Sequence, residues 1–256
     1  MKNALAEKLS QGANLTVEDH ARLDLLVSRT RQVASHKNII AEGQVPDEVH
    51  LVLEGLACRF KVMKNGRRQI LAFLVPGDFC DLHVAILGNM DHGIATLTPC
   101  TMVEISTTTV EELTSNHPKI ARALWWATLV DEAVLREWLV NIGQRPANQR
   151  LAHLLCELLV RLQTVGGASD NSYSLPITQE EMGDALGLSI VHVNRTLQAM
   201  RRAGLITLKN TLLVIKDVER LKAFADFDPA YLHLAPNSAP SAIRRQVASI
   251  SSAIGG

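Results

Sequence analysis

The stretch "GLSIVHVNRTLQAMRRAGLI", residues 187–206, decides the fold of this chain. Beyond Ser189, the apolar residues Val193, Leu197 and Met200 recur at intervals of four and three, which predicts a helix with one buried face. A solvated helix face usually carries Glu and Lys pairs, yet no acidic residue lies between Ser189 and Leu208. The side chains on and beside the outward stripe are Val191, His192, Asn194, Arg195 and Gln198.

These outward side chains are of the types that read DNA base edges. Arginine can bind guanine O6 and N7 bidentately, asparagine or glutamine can do the same at adenine N6 and N7, and valine can touch a thymine methyl. We therefore predict that the five outward residues contact bases in the major groove. Phosphate contacts are predicted for Ser189, Arg201, Arg202 and Lys209. The alternative is an ordinary solvated helix.

The residues around this helix predict a winged helix-turn-helix. Thr178 and Glu181 have the spacing of a capping box that opens one short helix, and Gly187 supplies a tight turn. Ser189 then caps the next helix. After Gly204, the segment "LITLKNTLLVIK" predicts a two-stranded wing. We assign residues 144–226 to this DNA-binding domain.

Residues 36–110 have a different pattern, with short β-branched runs separated by turn dipeptides. Asn65-Gly66 between two such runs is a strong hairpin signal and predicts a type I′ turn, which needs positive φ at both central residues. Many short strands with this punctuation predict a β-sandwich or small barrel. With a short helical stretch before it, this domain is assigned to residues 1–116.

A helical period returns over residues 117–142. Its apolar stripe is wide, and it contains Ala123, Ala127, Val130, Val134, Trp138 and Ile142, with Leu124, Leu135 and Leu139 alongside. The stripe can pack on the chain's own β-domain, or it can form a coiled-coil-like dimer seam, which is the interpretation we favour. Residues 117–143 are therefore predicted to be a dimerisation helix.

The composition is that of a chain with ample length for a buried core: 256 residues, 47% hydrophobic, with a formal net charge of zero. A nucleic-acid partner must then meet a local basic face, and residues 143–216 carry eight Lys or Arg against five acids. No signal-type start and no membrane-length apolar run is found, so the cytoplasm is expected and no membrane partner. The four cysteines form no CxxC pair. Residues 227–256 are predicted to be a flexible tail.

From about residue 20 to 225 the chain resembles the CRP/FNR family of bacterial transcription regulators. The resemblance is carried by "VLEGLACRF", "ILAFLVPGDFCDL" and "ITQEEMGDALGLSIVHVNRTLQAMRRAGLI". It implies an α+β fold in which a β-roll (a cyclic-nucleotide-binding-like jelly roll) precedes a long dimerisation helix and a winged helix-turn-helix. It also implies a homodimer joined along residues 117–142 that binds a palindromic site on double-stranded DNA, with RNA polymerase as a further partner.

Two departures from the family pattern affect the expected specificity. The family's recognition helix usually has a Glu four positions before its Arg, and here that position is Val191. A valine cannot accept a hydrogen bond from cytosine N4, so the operator should differ from the common family half-sites. In cyclic-nucleotide-binding members a Gly-Glu pair holds the ribose and an Arg pair holds the phosphate. Cys80-Asp81 and the Asp91-His92 region replace them, so cyclic AMP is disfavoured.

The predicted sensor region holds five effector or metal candidates, which are Cys80, Asp81, His83, Asp91 and His92. Their side chains are plausible ligands for a transition metal or polar contacts for a small molecule, and the cofactor is left unknown. Because adjacent residues alternate sides along an extended chain, we do not expect all five to converge. The alternative is structural: Cys80 is packed, while Asp81 and His83 close the turn by local hydrogen bonds.

Two further functions remain open at this point. One is a cupin-like metalloenzyme whose β-barrel carries His83 and His92, although the sequence contains no HxH pair. The other is a regulator with no effector, controlled by its own abundance. Our prediction is a DNA-binding regulator rather than an enzyme.

Overall fold

The computed structural model describes residues 3–234. Two short helices begin the chain, α1 (Ala4–Leu9) and α2 (Val17–Leu26), and the side chains of Asn3 and Thr16 cap them. The β-domain follows as seven strands with a short helix, α3 (Val84–Leu87). The strands are β1 (Arg31–Val33), β2 (Asn38–Ile40), β3 (Glu48–Glu54), β4 (Ala57–Val62), β5 (Arg68–Leu74), β6 (Gly93–Thr96) and β7 (Cys100–Ser106).

These strands form the predicted β-roll as two antiparallel sheets, in the orders β1-β7-β3 and β2-β6-β4-β5. The hairpin between β4 and β5 is present, with Val62 paired to Arg68. Its predicted type I′ turn is wrong, because among residues 64–66 only Gly66 has a positive φ, of 80°. The Met63 carbonyl accepts from the Gly66 amide and the Met63 amide donates to the Arg67 carbonyl, which is the three-residue loop that places glycine in the left-handed position.

Helix α4 (Thr107–Asn116) leads into the long helix α5 (Pro118–Gln144), which begins with proline at its first position. The apolar stripe named in the sequence, from Ala123 to Trp138, is buried against the chain itself. A second stripe on α5 stays exposed and contains Trp125, Leu135 and Leu139. The wide apolar surface therefore consists of two adjacent stripes, and only the first packs within the chain.

The C-terminal domain starts with α6 (Ala147–Thr164) and continues with β8 (Ser172–Ser174), α7 (Gln179–Leu186), α8 (Ile190–Arg202), β9 (Ile206–Lys209), β10 (Leu212–Ile215) and α9 (Val218–Ala225). The predicted two-stranded wing is incomplete, because β8 pairs with β10 to give a three-stranded sheet of order β8-β10-β9. A three-residue strand of sequence Ser-Tyr-Ser gives too weak a period for prediction.

The turn between α7 and α8 depends on two glycines. Gly187 ends α7 with φ of 66°, in the left-handed region where a side chain is strained. At Gly183, a Cβ atom would lie 2.5 Å from the carbonyl oxygen of Leu188. The predicted capping box is present, since Thr178 accepts from the Glu181 amide and Glu181 accepts from the Thr178 amide.

The flexible tail predicted from residue 227 is wrong for residues 227–234. Pro229–Leu232 form a 3-10 helix, and Phe227 and Leu232 are buried in the main core. Phe227 and Tyr231 both contact the imidazole of His153 on α6. These apolar and aromatic side chains give the segment enough buried surface to order it. The rest of the predicted tail, residues 235–256, lies outside the described residues.

One hydrophobic core joins the β-roll to the C-terminal domain. It contains Phe73 of β5 and Trp138 of α5, whose rings meet edge to face at 5.8 Å, together with apolar residues of α6, α7 and α8. On the surface, Arg68 of β5 donates to Asp184 of α7 at 2.7 Å. The two domains therefore pack as one body within the described chain.

A buried polar network crosses the same junction. Arg161 of α6 donates to Asp78 Oδ2 at 2.6 Å, to Glu157 Oε1 at 3.1 Å and to the Phe73 carbonyl. Lys8 donates to the other oxygen of Asp78. Burial alone would lower the pKa of Arg161, but the carboxylates of Asp78 and Glu157 raise it, so the guanidinium stays charged.

Glu157 is the most enclosed member of this network. Trp138 and Tyr231 donate to its carboxylate at 3.0 and 2.8 Å. Burial raises the pKa of Glu157 despite the opposing effect of Arg161. Every oxygen of the pair formed by Asp78 and Glu157 has a donor, as a buried charge requires.

The pH dependence of stability should be sensitive to His153. Burial lowers the pKa of His153 to about 3, and Arg145 acts in the same direction. Below a pH of about 6.5 the unfolded chain binds a proton there that the folded chain does not. The free energy of unfolding therefore decreases as the pH is lowered. We expect His153 to lower the free energy of unfolding by about 1–2 kcal/mol between about pH 6.5 and about pH 5. Glu137 Oε1 lies 3.2 Å from Nε2 of His153, and its negative charge limits this loss.

Urea unfolding of the wild type and of His153→Gln across this pH range measures the contribution. The variant should show a flatter dependence, because glutamine does not titrate. Parallel curves for the two proteins would contradict the assignment.

No helix among residues 3–234 is long and apolar enough to span a membrane.

Candidate nucleic-acid interface and ligand cavity

Helix α8 presents the predicted outward face to solvent. Val193, Leu197 and Met200 are almost wholly buried, as the periodicity predicted. On the other side Val191 is 78% exposed, and Asn194, Arg195 and Gln198 are exposed too. Packing within the described part of the chain does not explain an apolar residue at position 191, because its side chain is exposed at the first turn of the helix.

The start of α8 is fixed by a cap that also orients backbone donors. Ser189 Oγ accepts from the His192 amide at 3.2 Å, and His192 itself is half-buried at the edge of the outward face. The first amides of the helix point outward with the positive end of its dipole, which favours an anionic phosphate. Ser189 is exposed at this end, as a phosphate contact would require.

The basic residues predicted to meet phosphate lie at the other end of α8 and on the wing. Arg202 and Lys209 are exposed. Arg201 is exposed as well, but it donates to the Leu208 carbonyl at 3.3 Å and so braces the wing against α8. The nine predicted DNA contacts therefore lie on α8, its cap and the adjoining strand β9.

The five effector or metal candidates separate into two groups. Cys80 is fully buried, and burial raises the pKa of its thiol well above the ordinary value, so it is protonated and packed. Asp81 is also fully buried and accepts from the amide and the Nδ1 atom of His50 at 2.6 and 2.8 Å. Cys80 is therefore packed, as the structural alternative predicted. The prediction that Asp81 closes the turn by a local hydrogen bond is wrong, because its carboxylate is held by His50 of β3.

His83, Asp91 and His92 come together instead. One ligand atom from each lies within 4.8 Å of the others, and the two imidazole centroids are 5.4 Å apart. The expectation that Asp91 and His92 point to opposite sides is wrong, because Asp91 Oδ1 contacts His92 Nδ1 at 2.5 Å. The alternative in which His83 closes the turn is wrong too, since its Nε2 is buried with no hydrogen-bond partner among residues 3–234.

These three side chains line a cavity of about 320 Å³ between the β-roll and α5. Thr128, Asp131 and Glu132 form part of the wall that α5 supplies. Burial lowers the pKa of both His83 and His92, and the charge of Arg59 acts in the same direction. Both imidazoles are therefore held neutral near pH 7.

Arg59 is a residue of this cavity that the sequence argument missed. No guanidinium was expected near the sensor stretch, yet strand β4 brings Arg59 into the wall from about twenty residues upstream. Its guanidinium donates to Asp131 at 3.0 Å and to the carbonyls of Phe79 and Cys80. Burial lowers and Asp131 raises the pKa of Arg59, with a net rise, so the charge is present but already paired. Arg59 reaches the cavity because of how β4 pairs within its sheet. The residues near positions 80–92 in the sequence carry no sign of that pairing.

Comparison with known proteins matches both halves of the chain to protein families. Residues 30–117 match the family described as the cyclic nucleotide-binding domain, and residues 149–224 match the Crp-like helix-turn-helix domain. The first match covers the β-roll and α4. The second covers the elements from α6 to α9, including the whole of α8.

Relatives and solved structures agree with these matches. The nitrogen fixation regulation protein FixK of Bradyrhizobium diazoefficiens is 26% identical over 78% of this chain and 83% of its own length. The transcriptional activator protein FnrL of Cereibacter sphaeroides is 29% identical over 75% of this chain and 78% of its own. The structure of FixK2 from Bradyrhizobium japonicum superposes with a TM-score of 0.69 at 23% identity, covering 76% of this chain and 96% of that one.

The fold and these relatives decide between the two classes of function that the sequence left open. A β-roll, a long helix and a winged helix-turn-helix follow one another, and the relatives are transcription regulators rather than cupin-like metalloenzymes. The chain belongs to the CRP/FNR family of DNA-binding transcription regulators.

Proposed function

We propose that this regulator acts as a homodimer that reads a palindromic operator with two copies of α8. The observation that carries the proposal is the exposed, acid-free face formed by Val191, Asn194, Arg195 and Gln198, with His192 at its edge. A helix of this kind fits the major groove, and its donors match guanine and adenine edges. Ser189, Arg201, Arg202 and Lys209 surround it as phosphate contacts.

The dimer seam is proposed along the second stripe of α5. Trp125, Thr128, Leu135 and Leu139 recur at intervals of three, seven and four, and Trp125 and Leu139 are 68% and 74% exposed. This spacing matches the a and d positions of a two-stranded coiled coil. Large exposed apolar side chains along one face of a helix mark an interaction surface, and a second copy presents the same face. Glu132 occupies the position between Thr128 and Leu135, where it pairs with Arg136 of its own helix.

Breaking this seam should convert the dimer to monomers. In Leu139→Glu, two like charges would face each other across the symmetric interface, so we expect dissociation at micromolar protein and loss of operator binding. Analytical ultracentrifugation measures the first effect and a mobility-shift assay the second. Lys119→Glu, an exposed change on α5 at position b of the same register, is the matched control and should remain dimeric. A Leu139→Glu protein that stays dimeric would place the interface elsewhere.

Control by a ligand in the cavity between the β-roll and α5 is part of the proposal, and cyclic AMP is not the expected ligand. The cavity holds the carboxylates of Asp91, Asp131 and Glu132, and its guanidinium at Arg59 is paired with Asp131. A phosphodiester would have to break that pair and approach the remaining acids.

The expected site of action is the cytoplasm, where the operator and RNA polymerase, its proposed protein partner, are found.

Selection of bound duplexes from a random library tests the DNA-reading proposal. We expect purified full-length protein to enrich a two-fold symmetric site whose half-sites contain guanine. The selection is run with protein as purified, with protein stripped of bound small molecules, and with cell extract added. An effector-dependent regulator enriches the site in the first or third arm. No enriched site in any arm would exclude sequence-specific binding by this chain.

A further inference from the structure

The two histidines of the ligand cavity have nitrogen atoms that nothing in the chain uses. His83 stands immediately before α3 and His92 immediately before β6, so two rigid elements position the rings. The Nε2 atoms of both are buried and have no hydrogen-bond partner within the described part of the chain. A buried polar atom without a partner is costly, and its persistence calls for an explanation such as a ligand.

The contact with Asp91 determines which nitrogen of His92 is free. Asp91 Oδ1 lies 2.5 Å from Nδ1, so Nδ1 carries the proton and donates to the carboxylate. The lone pair of the neutral ring is then on Nε2. A carboxylate that holds the far nitrogen of an imidazole in this way is the usual outer partner of a metal-binding histidine. The Asp91 side chain is 82% exposed, so packing in a hydrophobic core does not hold it in this position.

We propose that His83 and His92 bind a divalent first-row transition metal ion through their Nε2 atoms, with Asp91 as the positioning residue for His92. Neutral imidazole suits Zn²⁺, Fe²⁺, Co²⁺ and Ni²⁺. The cavity of about 320 Å³ leaves room for further ligands, water or a small chelating molecule, to complete the coordination. On the cavity wall Asp131 is paired with Arg59 and Glu132 with Arg136, so the carboxylate of Asp91 is the one that offsets the charge of the cation.

The site is placed to act on the proposed seam. His83 lines both this cavity and a neighbouring apolar groove of about 450 Å³, whose wall includes Trp125 and Thr128 of α5. Leu135, from the same exposed stripe, lines the cavity itself. Drawing the two imidazoles together would therefore shift the residues that flank the stripe, and through it the spacing of the two α8 helices. This regulatory role rests on the proposed function, whereas the metal binding does not.

Titration of untagged, chelator-treated full-length protein with Co²⁺ tests the site, with the visible d–d absorption as the readout. We expect one Co²⁺ per protomer, and competition by Zn²⁺. His83→Gln and His92→Gln should each lose the bands. Asp91→Asn should keep them while weakening affinity by about tenfold, because the amide still accepts from His92 but does not raise its basicity. His20→Gln, on α2 and outside the cavity, is the matched control and should bind as the wild type does.

Circular dichroism and thermal unfolding confirm that each variant is folded before its titration is interpreted. Wild-type bands that persist in the His83→Gln, His92→Gln double variant would overturn the site, as would an intense thiolate charge-transfer band, which would assign the ion to a cysteine. An operator that binds equally with and without one equivalent of Zn²⁺ would remove the regulatory role. Metal binding in a protein that enriches no operator would instead reject the proposed function and leave the site intact.

Discussion

Arg161→Met is expected to lower the free energy of unfolding by about 3–5 kcal/mol, because it removes one side of a buried ion network and leaves the other side in place. Asp78 would keep Lys8 and the Val75 amide as partners, and Glu157 would lose its cation while remaining enclosed by Trp138 and Tyr231. Urea unfolding at pH about 7.5, followed by tryptophan fluorescence, measures the loss as a shift in midpoint at constant slope.

Lys61→Ala is the control for this variant. Lys61 pairs with Glu42 at 3.0 Å on the surface, where both side chains are more than 40% exposed. Such a pair contributes about 0.2–1 kcal/mol, so the midpoint should barely move. A loss below about 1 kcal/mol in Arg161→Met would mean that water or a rearranged Lys8 compensates the carboxylates, and that the junction is not held by this network.

The second large effect is expected at the DNA surface. Arg195→Ala should weaken binding to the selected operator by about 1–3 kcal/mol, roughly 5- to 150-fold, and should abolish the preference for guanine at one position of each half-site. The physical reason is the loss of a bidentate contact to O6 and N7, which no neighbouring side chain of the α8 face can replace. Fluorescence anisotropy with the operator and with single-base variants at the guanine measures both quantities.

Arg202→Ala separates base reading from charge. Arg202 is exposed near the end of the same helix and is predicted to meet phosphate. Its removal should weaken binding to all sequences about equally and reduce the slope of log affinity against log salt by about one. If Arg195→Ala behaved in the same way and kept the guanine preference, Arg195 would be a phosphate contact and the base-reading assignment would be wrong.

The order of domains and the orientation of α8 could be predicted because short-range rules determine them. The spacing of Val193, Leu197 and Met200 fixes the buried face, and the Thr178–Glu181 box and Gly187 fix where two helices begin and end. These signals operate within about five residues, where backbone geometry and capping dominate. The turn at Asn65-Gly66 shows the limit of such rules, since the pair was recognised and the turn type was not.

The ligand cavity could be predicted only in part, because long-range packing builds it. Five candidates were named from one stretch, and three of them converge, but which three depended on how the chain turns between α3 and β6. Arg59 enters through strand pairing, and Asp131 enters through the packing of α5. Neither is near the stretch in sequence. Which stripe of α5 is buried and which is exposed depends on how α5 packs against the β-roll, so the sequence alone did not separate the two stripes.

The core shared by Phe73, Trp138 and the apolar residues of α6 has a consequence for how the chain can be divided. A cut near residue 144, between the β-roll with α5 and the C-terminal domain, would open that core on both sides and leave Arg161 and Asp78 on separate pieces. The halves therefore form a single cooperative unit, and heat should unfold them in one transition. A change in the packing of the β-roll would then reach the C-terminal domain directly through this shared core.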